Sequence, residues 1–157
     1  MILLTVGTQL PFDRLVRAVD RIAADLDEPV FGQIGPASFI PQHMEWVETL
    51  APAEFDQRAG RARLLVSHAG TGSILAAQRH ELPVIIMPRR ASLGEHRNDH
   101  QLATANGLTG RAGIYVARDA DDIAALIART DLEPARATAE QESRRTLVSN
   151  LQAFLNA

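Results

Sequence analysis

Residues 87 to 101, MPRRASLGEHRNDHQ, place many hydrogen-bonding side chains directly after an apolar run. The segment contains three arginines, two carboxylates, two histidines and two amides. A sugar ring requires such a mixture, because each hydroxyl both donates and accepts a hydrogen bond, and arginine suits a phosphate or a carboxylate. A solvated loop would explain the same composition. The candidate sugar contacts are Arg89, Arg90, Glu95, His96 and Asn98.

A glycine-rich turn in VSHAGTGS, residues 66 to 73, follows another apolar run. Glycines allow a positive φ and let the backbone approach a ligand, and a helix opened by Ser73 would offer free N–H groups to an anion. The alternative is a tight turn with a capping serine. The turn matches neither the dinucleotide GxGxxG pattern nor a Walker loop. The residues assigned to a diphosphate seat are His68, Gly70, Thr71, Gly72 and Ser73.

A third loop, GTQLPF at residues 7–12, ends the first apolar run. Gly7 and Thr8 are small enough to lie against a ligand, although a simple turn would need the same residues. Zinc binding by His96 and His100, at helical i, i+4 spacing, is disfavoured because the HExxH pattern is absent.

The elements that would position these loops alternate along the chain, and their strands are apolar throughout. This pattern is typical of a parallel sheet covered on both faces, which predicts an α/β fold with one Rossmann-like doubly wound sheet. The three loops each follow a strand, so we expect them to share the carboxyl edge of the sheet. The expected strands are 2–6, 29–34, 44–47, 64–67, 83–87 and 112–116, and the expected helices are 12–26, 51–61, 73–79, 98–106, 121–129 and about 134–156.

Composition narrows the class of protein. A chain of 157 residues predicts a single domain, 1–157. The net charge of −3 argues against a nucleic-acid partner. The chain has no cysteine for a disulfide or a thiolate metal site. It also lacks the roughly 18-residue apolar run that would span a membrane, and the first residues lack the features of a secretory signal. We therefore expect a cytoplasmic protein.

The three loops together resemble a known family. SHAGTGS, the strand LPVIIMP and GEHRNDHQ, with TVGTQLPFDRLVRAVD at the start of the chain, resemble the donor-binding half of glycosyltransferase family 28. Within it, the chain is similar to bacterial exopolysaccharide subunits related to the catalytic subunit of the eukaryotic two-part N-acetylglucosaminyltransferase that acts on dolichyl-diphosphate sugar. The resemblance implies half of a GT-B type glycosyltransferase and covers residues 1 to about 105.

The resemblance also implies roles for single residues. His68, Gly70, Gly72 and Ser73 would hold the donor diphosphate, and Glu95 with His96 would contact the sugar hydroxyls. His96 is also the candidate general base, although a partner could supply that group. Ala76 stands where many relatives have a ribose-binding glutamate, which questions how this chain would grip the ribose.

The resemblance implies a donor-binding catalytic subunit of a two-component enzyme. It would transfer a sugar from a UDP-sugar to a lipid-diphosphate-linked glycan in exopolysaccharide synthesis, without metal or cofactor. A membrane-anchored partner would supply the acceptor domain and hold the chain at the inner face of the plasma membrane. The candidate contact surfaces are the loop Phe39–Met44 and the last helix with Leu147, Leu151 and Phe154.

The residues are also compatible with other functions. A non-catalytic nucleotide-sugar-binding or scaffold subunit would stabilise a partner transferase instead. A nucleotide-sugar hydrolase lacks support because no nucleophile elbow is present, and a dehydrogenase domain would need the dinucleotide glycine pattern.

Overall fold

Six short apolar segments form one parallel sheet, and a helix follows every strand except the second. The computed structural model describes residues 1–137. The strands are β1 Ile2–Thr5, β2 Val30–Gln33, β3 Glu45–Val47, β4 Leu64–His68, β5 Val84–Met87 and β6 Ile114–Val116. The helices are α1 Asp13–Ala23, α2 Pro52–Ala59, α3 Thr71–Arg79, α4 His100–Leu108 and α5 Ala120–Ile127, with a 3₁₀ turn at Ala91–Leu93.

The strand order is β3-β2-β1-β4-β5-β6, with all neighbours parallel. The chain builds the sheet outward from β1 in one direction and then outward from β4 in the other. The switch in strand order therefore lies between β1 and β4, where ligands bind in open sheets of this kind. The register pairs Thr5 with Ser67 and His68 with Met87, which brings the carboxyl ends of β1, β4 and β5 side by side. The predicted doubly wound parallel sheet is confirmed.

Two apolar cores cover the two faces of the sheet, because successive strand residues point to opposite sides. On one face α1 and α5 pack through residues such as Leu15, Val19 and Ile123. On the other face α2, α3 and α4 pack through Ala59, Ile74 and Ala105. Double coverage explains why the strands are apolar throughout instead of alternating.

Several predicted boundaries are wrong although every predicted element in the described part exists. Helix α4 begins at His100 instead of Asn98, after the 3₁₀ turn, and α1 ends at Ala23 instead of residue 26. Residues 134–137 are not helical, and the N–H of Ala135 donates to the carbonyl of Leu82 at 3.1 Å. The rest of the expected last helix, with Leu147, Leu151 and Phe154, lies outside the described residues. Among residues 1–137, no helix combines the length and the apolar character that crossing a membrane would require.

Candidate functional site

A polar cavity of about 330 Å³ opens at the carboxyl edge of the sheet. The loops after β1, β4 and β5 all contribute to its wall, so the expectation that they share one edge is confirmed. Its lining residues are Val6, Gly7, Thr8, Gln9, Leu10, His68, Gly70, Arg89, His96, His100 and Gln101.

The glycine turn leads from β4 into α3 differently from the expectation. Helix α3 begins at Thr71 with Gly70 as its N-cap, so Ser73 lies in the first turn and neither opens nor caps the helix. Neither Gly70 nor Gly72 has a positive φ, so the conformational freedom of glycine is not used at either position. A Cβ on Gly72 would meet nothing within 4 Å. The first N–H groups of α3 have no partner within the helix, and the open space beside them leaves room for an anion.

The imidazole of His68 lies between two glycines. A Cβ added to Gly7 would lie 3.1 Å from His68 Cε1, and a Cβ added to Gly70 would overlap the ring near Nε2. Gly7 also has a φ of 78°, which side-chain-bearing residues rarely adopt. The close packing of the His68 ring therefore explains these two glycines, in addition to the ligand approach that the sequence suggested.

His68 is uncharged at neutral pH. Burial lowers the pKa of His68 to about 4, and the positive charge of Arg89 acts in the same direction. Its Nδ1 is buried, and the backbone of Thr5 partly opposes the lowering of the pKa. The neutral ring therefore offers the cavity a single donor or acceptor nitrogen, according to its tautomer, instead of a full positive charge.

Arg89 is a buried cation in the cavity wall, with 4% of its surface exposed. Its Nη2 donates to the carbonyls of Val6 at 2.8 Å and Leu10 at 2.7 Å, and its backbone N–H donates to Gln101 Oε1 at 3.1 Å. Burial lowers the pKa of the guanidinium, which nevertheless stays charged in proteins. Arg89 thus connects the loop after β5 to the loop after β1.

Glu95 is occupied by the protein itself and does not line the cavity. Arg14 of α1 binds it through two hydrogen bonds, Nε to Oε1 at 2.7 Å and Nη2 to Oε2 at 2.9 Å. The N–H of Arg90 also donates to Oε2, at 2.9 Å. This geometry ties the loop after β5 to α1 and does not favour the expected contact between Glu95 and sugar hydroxyls.

His96, in the loop before α4, and His100, the first residue of α4, line the cavity side by side. The rings of His96 and His100 meet edge to face, with 4.4 Å between centroids. Asn98, an expected sugar contact, lies outside the cavity and is hydrogen-bonded to His100 through its Oδ1. Within residues 1–137 no three potential ligands gather around a metal position, so these histidines lack a third ligand there.

The cavity contains some of the expected residues and adds others. Those inside are Gly7, Thr8, His68, Gly70, Arg89 and His96, while Thr71, Gly72, Ser73, Arg90, Glu95 and Asn98 do not line it. Sequence reasoning missed Val6, Gln9, Leu10, His100 and Gln101 as lining residues. Gln101 is 4% exposed although it is polar, and its place in the first turn of a helix at the carboxyl edge was the available signal.

A comparison with protein families tests whether the chain is related to glycosyltransferase family 28, as its motifs suggested. The model of the glycosyltransferase family 28 C-terminal domain matches residues 1–153 of the chain. The chain belongs to this family.

Two proteins with similar sequences have the same name. The UDP-N-acetylglucosamine transferase subunit ALG13 of Yarrowia lipolytica is 28% identical over 137 residues, which span 78% of this chain and 67% of that protein. Its namesake from Eremothecium gossypii is 30% identical over 129 residues, which span 81% of this chain and 62% of that protein. The chain thus spans about two thirds of the length of these relatives.

Solved glycosyltransferases share the fold. The calicheamicin glycosyltransferase CalG4 superposes with a TM-score of 0.59 at 19% identity, covering 79% of this chain and 32% of that one. The glycosyltransferase of kitacinnamycin gives 0.60 at 19% identity, covering 79% and 33%. The family 28 chain therefore has the Rossmann-like fold of one half of a GT-B type enzyme, as the sequence predicted.

Ala76, which the sequence indicated in place of a ribose-binding glutamate, lies in α3. The residue is 6% exposed and does not line the cavity. A side chain at this position of α3 therefore packs against neighbouring elements, and the cavity gains no ribose-binding carboxylate from position 76.

Proposed function

We propose that the chain is the donor-binding catalytic subunit of a two-component UDP-sugar glycosyltransferase. The observation that carries the proposal is that His68, the loop after β1 and Gly70, the N-cap of α3, line one polar cavity at the switch in strand order. Family membership and the name of the ALG13 relatives, UDP-N-acetylglucosamine transferase subunit, support this function.

The reaction would join an acceptor hydroxyl to the anomeric carbon of the sugar. The new bond forms from the hydroxyl oxygen to that carbon while the bond from the carbon to the β-phosphate oxygen breaks, and UDP leaves with the electron pair. Free N–H groups at Thr71, Gly72 and Ser73 would stabilise the charge on the leaving diphosphate without a metal ion. The hydroxyl proton would pass to His96, which lines the cavity, or to a base on the partner.

The proposal includes the acceptor molecule and the partner subunit of this chain. We take the acceptor to be a lipid-diphosphate-linked glycan in exopolysaccharide synthesis, presented by a membrane-anchored subunit that holds this chain at the inner face of the membrane. The loop Phe39–Met44, in which Ile40 is 56% exposed, is a proposed contact with that subunit. Arg90, Glu95 and Asn98 stay proposed sugar contacts only if the bound donor releases their present hydrogen bonds.

The diphosphate seat is tested by a valine at Gly72. Its Cβ has open space, so Gly72→Val should fold while its side chain covers the first N–H groups of α3. We expect UDP affinity, measured by calorimetry, to fall at least about tenfold. Gly107→Val is the matched control, because Gly107 lies in α4 with the same open space. Equal UDP affinity in the Gly72 and Gly107 variants would exclude the seat.

A scaffold subunit is the second candidate function. The cavity draws no carboxylate from position 76, and Glu95 is occupied by Arg14, so the site holds fewer ligand contacts than the family pattern implies. A complex reconstituted from the chain and its partner distinguishes the two functions. Sugar transfer by the complex that His68 or Gly72 substitutions abolish supports catalysis here, whereas transfer unaffected by both supports a scaffold. Full transfer by the isolated chain would contradict the two-component proposal.

A further inference from the structure

Arg89 carries a buried charge that no carboxylate pairs with directly in residues 1–137, and Glu95 acts on it only from a distance. Its guanidinium is 4% exposed, and among residues 1–137 no carboxylate oxygen lies within 4.0 Å of it. The nearby Glu95 is held by Arg14 instead. A buried cation is stable only when paired or well hydrogen-bonded, so such a group in a cavity wall favours an anionic ligand.

The hydrogen bonds of Arg89 hold the loop after β1 at both ends. A single nitrogen, Nη2, donates to the carbonyls of Val6 and Leu10, at 2.8 and 2.7 Å. Nε is buried with no partner among the described residues. The guanidinium carbon also lies 5.1 Å from the centre of the Phe12 ring, which fixes the plane of the group.

The loop held in this way forms part of the cavity wall. Gly7, Thr8 and Gln9 line the cavity between the two carbonyls that Arg89 binds. Within the described chain, no hydrogen bond uses the backbone N–H of Thr8 or Gln9. Successive free N–H groups beside a positive charge form an anion-binding arrangement.

We propose that Arg89 is a positioning residue for the anionic part of the ligand. Its guanidinium fixes the loop from Gly7 to Gln9, and its charge, which has no direct carboxylate partner among the described residues, makes the cavity favour a diphosphate. The inference rests on the proposed function, because it takes the cavity to be the UDP-sugar site. It also revises the expectation from the sequence, since Arg89 acts through the loop and through its charge instead of touching the sugar.

The test compares Arg89→Met with Arg97→Met in the full chain. Arg97 is an exposed arginine of the same loop, so its loss matches the change in net charge. Calorimetry would measure binding of UDP and of inorganic pyrophosphate at two salt concentrations. For Arg89→Met we expect both ligands to bind at least about tenfold more weakly, with a shallower dependence on salt. For Arg97→Met we expect less than about a twofold change.

A second variant guards against a fold defect in Arg89→Met. Gln101→Glu is isosteric, keeps an oxygen for the N–H of Arg89, and adds the missing negative charge beside it. We expect it to weaken pyrophosphate binding about tenfold at low salt while its thermal unfolding midpoint stays near that of the wild type.

The possible results distinguish the role of Arg89 from the proposed UDP-sugar function. Pyrophosphate and UDP affinities that are the same in wild type, Arg89→Met and Gln101→Glu would overturn the role of Arg89. A loss of affinity with an unchanged salt dependence would assign Arg89 a purely structural role and overturn it as well. A wild-type chain that binds pyrophosphate in an Arg89-dependent way but does not bind UDP would contradict only the proposed function. A wild-type chain that binds neither anion would contradict both.

Discussion

The protonation of His68, a residue of the cavity wall, affects the stability of the folded chain. Burial and the charge of Arg89 lower its pKa from 6.5 to about 4. The unfolded chain therefore binds a proton at this residue between about pH 4 and pH 6.5, whereas the folded chain does not. Because the unfolded state binds more protons there, stability must fall as the pH falls through this window.

We predict that His68 alone makes the wild type lose about 3 kcal/mol of unfolding free energy between pH 7.5 and pH 4. Replacing it in His68→Gln removes this part of the pH dependence, whatever the variant does to stability at pH 7.5. Urea unfolding across this range measures the difference, with His43→Gln as the control because His43 is exposed. Wild-type and His68→Gln profiles that run parallel would contradict the lowered pKa.

At the scale of elements, the connection from β2 to β3 is the one that lacks a helix within the described chain. Helix α1 holds this connection in place through the side chain of Asp20, which is 4% exposed. Asp20 Oδ1 accepts hydrogen bonds from the N–H groups of Gln42 at 2.9 Å and His43 at 2.7 Å. The loop Phe39–Met44, the proposed partner contact, therefore owes its position to a carboxylate in another element.

Removing this carboxylate should release the loop. We predict that Asp20→Ala costs about 1–3 kcal/mol of unfolding free energy, because two backbone N–H groups lose their acceptor. Asp20→Asn keeps an oxygen and should cost less. Denaturant unfolding gives the free energies, and hydrogen exchange of the Gln42 and His43 amides should accelerate selectively. Asp25→Ala, at an exposed position near the end of α1, should change neither.

Sequence patterns predict elements well and their polar contacts poorly. Helical spacing of Leu15, Val16 and Val19 predicts α1, because that spacing depends only on neighbours in the sequence. The role of Asp20 was not predictable, because its partners lie 22 and 23 residues away. The start of α3 was misplaced because Ser73 is the preferred capping type, whereas Gly70 caps without a side chain.

The same limit applies to the site. The order of apolar runs and glycine turns was sufficient to bring three loops to one edge, because parallel strands place their carboxyl ends together. It could not assign Glu95 to Arg14 or Arg89 to the loop after β1, since those pairs depend on the packed sheet. In the loop after β5, Glu95 thus pairs with Arg14 outside the cavity, whereas Arg89 is a buried cation in the cavity wall.

At the scale of the molecule, the chain passes from one face of the sheet to the other between Leu132 and Ala135. Leu132 packs on the core of α1 and α5, while Ala135 is fully buried in the opposite core. The crossing runs over Gly113, at the amino edge of β6. Gly113 has a φ of 78°, and a Cβ there would overlap the backbone of Pro134 and Ala135. This crossing joins the two layers at the edge opposite the cavity.

Gly113 and Gly110 allow the contribution of the crossing to be isolated. Both have a positive φ, 78° and 83°, but a Cβ on Gly110 would meet nothing within 4 Å. We predict that Gly110→Ala costs about 1–2 kcal/mol of unfolding free energy from backbone strain alone. Gly113→Ala should cost about 1–3 kcal/mol more, because the crossing must also move. Urea unfolding of both variants measures the difference, and equal losses would mean that the crossing contributes nothing to holding the two faces together.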